Sequence, residues 1–110
     1  MAGRKMKSFS SKKEKKAPIA FELEGEEFEA YGNVPGAVLL EFMEYAGSER
    51  AADTAKGILL YINKSLDEKN LERFNKLIHD PDVMIELETL SEIVSYLIEE
   101  RGDSRPTEAS

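Results

Sequence analysis

Between Phe21 and Met43 the hydrophobic spacing changes from period two to a helical period within one short turn, and no other feature constrains the fold as much. Phe21, Leu23, Phe28 and Ala30 alternate with Glu22, Glu24, Glu27 and Glu29, the pattern of two strands with one apolar and one solvated face. Glu24-Gly25 falls where such a hairpin must turn, and glycine takes the positive φ that a Cβ resists. Val34 then leads into Pro35, whose fixed φ and missing N–H suit the first position of a helix. A two-stranded hairpin alone is marginal in water, so this one has to lean on the helices that follow it.

Those helices can be read in order. The first spans Pro35 to Ala46, with Val38, Leu39, Phe42, Met43, Tyr45 and Ala46 on one stripe, and Gly47 is expected to stop it in the left-handed region. Ser48 is the expected N-cap of a second helix running to about Ser65, with Ala51, Ala55, Ile58, Ile62 and Leu66 inward and Leu60 and Tyr61 outside that stripe. Asp67 caps a third from Glu68 to about Ile78, on which Leu71, Phe74, Leu77 and Ile78 share a face and which His79-Asp80-Pro81 ends. Asp82 is expected to start the last helix, which runs to Arg101 before Gly102, with Val83, Leu87, Leu90, Val94 and Leu97 inward and Ile85 and Tyr96 outward. The expected fold is mainly α with a small N-terminal β-hairpin, an α+β arrangement in which about four helices pack as a small bundle.

At 110 residues there is room for one small domain, here residues 17–102, between a basic tail at 1–16 and a polar tail at 103–110. Of the net charge of −7, residues 1–16 contribute +6 (seven basic side chains, one acidic), so the other 94 residues carry −13. An acidic body repels phosphates, so nucleic acid is not an expected partner of the domain. The tail admits several readings: it solubilises, it associates with the acidic body of another copy, or it contacts nucleic acid. The absence of cysteine leaves no disulfide framework or thiolate metal site. The basic beginning lacks the apolar core of a secretory signal, and no apolar run reaches membrane-spanning length.

The numerous carboxylates invite an acid/base reading, but the glutamates of the hairpin fall on its solvated face and Glu99-Glu100 lie at a helix end. His79 beside Asp80 at a helix C-terminus reads as a capping or surface histidine. With no phosphate-binding glycine loop, HExxH or calcium loop, the expectation is a protein that is not an enzyme and uses no cofactor or metal. What remains is a surface for partners: Leu60, Tyr61, Met84, Ile85 and Tyr96 are more apolar material than one small core has to hide. The competing reading is that the helix phases are shifted by a residue and these side chains belong to the core.

The stretch FELEGEEFEAYGNVPGAVLLEF, Phe21 to Phe42, resembles the tail assembly chaperones of long-tailed bacteriophages that infect actinobacteria. The lysine-bearing tail before it and Arg105-Pro106-Thr107 after the last helix are similar as well, so the resemblance covers about residues 12 to 107. It implies a non-enzymatic assembly factor in the host cytoplasm that is absent from the finished virion. Such a factor binds the tape measure protein, keeps it soluble and helps recruit tail tube protein. It also implies a homo-oligomer that works beside a longer frameshifted form of itself. The alternatives are a small nucleic-acid-associated regulator acting through the lysine tail, and a structural virion completion protein.

Overall fold

The computed structural model describes residues 3–10 and 16–102. The tail residues Lys12, Lys13 and Lys15 and the whole of 103–110, including Arg105-Pro106-Thr107, lie outside the described residues. The order of elements is β1 (Ile19–Leu23), β2 (Glu26–Ala30), α1 (Gly36–Ala46), α2 (Ala51–Ser65), α3 (Glu68–Ile78) and α4 (Leu87–Arg101). This is the expected hairpin followed by four helices.

β1 and β2 pair antiparallel with Phe21 opposite Phe28 and Leu23 opposite Glu26. Glu24 and Gly25 both take positive φ, 52° and 80°, the geometry of a two-residue turn whose twist matches that of the strands. The inward side chains anchor the hairpin to α3: the Phe21 and Phe28 rings stack at 5.5 Å, and Phe74 meets Phe28 edge-on at 5.7 Å. Arg73 closes the contact from outside. Its guanidinium sits 4.5 Å from the Phe28 ring centre and donates to the Glu27 carbonyl at 2.7 Å. Beyond β2 the pairing continues into the turn after α2, where the Tyr31 N–H donates to the Ser65 carbonyl at 2.8 Å.

α3 starts as the sequence indicates, with the Asp67 side chain accepting from the Asn70 N–H at 2.8 Å. α4 ends as indicated, with Gly102 at φ 73°. Other boundaries differ. Gly47 closes α1 with φ −81°, not in the left-handed region, its N–H donating to the Met43 carbonyl at 3.0 Å. The N-cap of α2 is Arg50, two residues after Ser48; Ser48 Oγ instead accepts from the Arg50 N–H and donates to Asp53, fixing the turn before the helix.

The largest correction concerns residues 82–86, which are not helical. Asp80 Oδ1 accepts from the Asp82 N–H at 2.9 Å, the Asp80 carbonyl accepts from the Val83 N–H, and Met84 takes φ 58°, so the chain turns before α4 begins at Leu87. Of the residues expected inward, Leu90, Val94 and Leu97 keep their place and Val83 packs against the core, while Leu87 does not. Leu90, Ile93, Val94, Leu97 and Arg101 are buried, whereas Leu87 is exposed.

Candidate partner-binding surface

The core joins β1 and β2 to all four helices through Leu23, Phe28, Val38, Ile58, Ile62, Phe74 and Leu97, among others. One of the expected surface residues belongs to it and a second packs against it. Tyr61 is fully buried: its ring lies 5.4 Å from that of Phe42 on α1, and its hydroxyl accepts from Arg101 at 2.8 Å. A single apolar stripe drawn along α2 leaves Tyr61 outside, but α2 is packed on one side by α1 and on another by α4, so its buried arc is wider than one stripe. Ile85 also packs against the core, because the turn at 82–86 removes the helical phase that would have pointed it outward.

The remaining three divide. Leu60 is half-buried on the side of α2 away from Ile58. Tyr96 is exposed along its ring, with its hydroxyl donating to the Ala20 carbonyl at 3.2 Å, which ties α4 to the outer side of β1. Met84 is 78% exposed, projected outward by its left-handed backbone between Val83 and Ile85, which both face the core. A long unbranched residue held at positive φ without a turn glycine is an uncommon arrangement.

A further exposed apolar pair lies on α1, where the sequence pattern does not put it. Leu40 is 68% exposed and Met43, expected inward, is half exposed. Val38, Phe42 and Tyr45 take the opposite arc, against α2, where Gly57 leaves room for Tyr45. Leu39 and Leu40 cannot both face a single neighbour at 100° per residue, and that adjacency was the signal available in the sequence. Glu41 and Glu44 run beside Leu40 and Met43, and α1 contains no cation.

The strongest polar feature is also one the sequence did not indicate. Arg101, on the last turn of α4, is 1% exposed. It donates to Tyr61 Oη, to Ser65 Oγ at 3.1 Å, and twice to the Tyr31 carbonyl, at 2.8 and 3.2 Å. These bonds lock α4, the end of α2 and the exit of β2 to one another. The strap before β1 closes over the same place: Lys16 Nζ donates to the Arg101 carbonyl at 2.6 Å, satisfying a helix-end acceptor. Gly32 lies beneath this strap, and a Cβ there would fall on the backbone of Lys16 and Ala17. A groove of about 770 Å³ borders the strap between Pro18, Tyr31 and Asp67.

His79 sits outside that groove, exposed at the end of α3 with Nδ1 2.8 Å from the Asn75 carbonyl. The glutamates of the hairpin are exposed, as their alternation indicated. The carboxyl of Asp67 is held below the ordinary aspartate value by the backbone N–H of Asn70, and further by the Asn70 side chain. Among the described residues, no helix is long and apolar enough to cross a membrane. Comparison with protein-family models, with curated proteins and with solved structures returns no match.

Proposed function

We propose that this protein is a non-enzymatic assembly chaperone that works by contact with an extended apolar client, the tape measure protein of a long-tailed phage. It keeps that client soluble while tail tube subunits gather around it in the host cytoplasm, acting as a homo-oligomer together with a longer form of the same chain. The observation that carries the reading is the exposed Leu40–Met43 stripe on α1, flanked by Glu41 and Glu44 and supplemented by Met84. Unbranched and thioether side chains adapt to varied apolar partners, and an acidic exterior keeps the coated complex from aggregating. Repeated weak sites along a long client gain avidity when copies associate.

Co-expression tests the reading. With this chain present, a tape measure protein is expected to move from the insoluble to the soluble fraction and to co-purify with it. A client that is equally insoluble with and without the chain refutes the proposal.

A further inference from the structure

Residues 3–10 contain Arg4, Lys5 and Lys7 and no acidic side chain, and they form neither helix nor strand. They present Met6 and Phe9 at 81% and 83% exposure, with the Lys7 ammonium 5.4 Å from the Phe9 ring centre. Two large apolar side chains flanked by cations are thus left uncovered in the single chain.

α1 carries the complement. Leu40 and Met43, three residues apart, form an apolar stripe, and Glu41 and Glu44 form an acidic one beside it. At 100° per residue the four span an arc of roughly 160°. Glu44 lies in the last turn of α1, near the negative end of its dipole, with Glu41 at the middle of the helix one turn before it, and no basic residue in the last turn offsets them. This face is therefore electrostatically unfavourable in isolation, and a cationic apolar segment corrects both defects at once.

We infer that the N-terminal segment of one copy docks on the α1 face of a second copy. Met6 and Phe9 cover Leu40 and Met43, and Arg4, Lys5 and Lys7 face Glu41 and Glu44. The base of the segment is fixed at the end of α4 by Lys16, and the chain from residue 3 to residue 15, thirteen residues, can span up to about 45 Å. The contact is heterologous, tail to face, so it is open to propagation along a row of copies. It uses the α1 surface assigned above to the client, but its test needs no client, so its failure and that of the chaperone reading are separable.

Sedimentation of the purified full chain decides. The wild type is expected to self-associate with rising concentration at low salt and to dissociate at high salt. A tail variant, Arg4→Glu/Lys5→Glu/Lys7→Glu, and a face variant, Glu41→Lys/Glu44→Lys, are each expected to weaken association by about tenfold or more. Mixing the two restores it, because the native tail of one meets the native face of the other. Met6→Ser/Phe9→Ser, in a segment outside every element, is expected to weaken association equally without touching the fold. The inference is overturned by a wild type that stays monomeric at low salt or shifts only when RNA is added. It is equally overturned by a Phe9-to-α1 crosslink that forms within one chain independently of concentration, or by a mixture that fails to associate.

Discussion

Arg101 gives the sharpest test of how this small domain is held together. Arg101→Ala removes a nearly inaccessible guanidinium and, with it, the charged donor serving Tyr61, Ser65 and the Tyr31 carbonyl. A hydrogen bond to a charged group contributes about 1.5–3 kcal/mol, and bonds sharing one donor group are not additive, so the three partners together are worth roughly 3–5 kcal/mol including the cavity left behind. Opposing this is the cost of taking the guanidinium out of water, several kcal/mol, already met in the wild type. Arg101→Met separates the two effects: it keeps much of the volume, removes the desolvated charge, and leaves the neutral acceptors without their donor. The expected order of stability is wild type, then Met, then Ala, with Met lower by about 1.5–3 kcal/mol. Against a total of about 5–15 kcal/mol, the alanine variant should lose at least roughly 12 °C in Tm. Urea unfolding followed by far-UV circular dichroism measures this, provided the slope with denaturant is unchanged. An alanine variant within about 1 kcal/mol of wild type would refute the role given to Arg101, since a change that small is what a solvent-exposed side chain produces. A methionine variant more stable than wild type would show instead that desolvation outweighs the hydrogen bonds.

Other consequences are more local. Asp67 has its folded-state pKa below the unfolded value, so its contribution is present at neutral pH and is lost as pH falls through and below the ordinary carboxylate range; Asp67→Asn should keep the cap while flattening the acid limb of the stability curve. Gly57→Ala gains about 1 kcal/mol of helix propensity but sets a Cβ 2.7 Å from the Cβ of Tyr45, so net destabilisation of about 1–2 kcal/mol is expected in thermal melts. Met84→Gly relieves a left-handed backbone at a small entropic cost and should raise stability by about 0.5–1 kcal/mol while weakening client binding. A loss of stability there would mean that the Met84 side chain packs rather than projects.

What was legible in the sequence was what local chemistry decides. The hairpin follows from Phe21, Leu23, Phe28 and Ala30 alternating around Glu24-Gly25, and Asp67 and Gly102 mark helix ends that the structure reproduces. What was not legible depends on partners distant in sequence. Tyr61 is buried because α1 and α4 flank α2 on separate sides and Arg101, forty residues on, supplies a donor for its hydroxyl. An arginine in a last helical turn ordinarily reads as a surface complement to the helix dipole. The hint that it is not was Tyr61 and Ser65 one turn apart, two polar groups on a side of α2 that also carries Ile58 and Ile62. The start of α4 was misplaced because Asp82 after Pro81 has the composition of a cap, whereas Asp80 uses its own side chain to make a turn there. The shift carried Ile85 into the core and left Met84 and Leu87 outside.

The proposed activity is contact through the α1 face. Titrating a soluble apolar fragment of a tape measure protein against the wild type and against Leu40→Gln/Met43→Gln tests this, with thermal melts as the control, because both positions are exposed, glutamine adds no charge to the acidic face, and stability should change by no more than about 0.5 kcal/mol. Binding at least about tenfold weaker is expected for the variant, at unchanged Tm. Equal affinity of the two proteins for the fragment would contradict it.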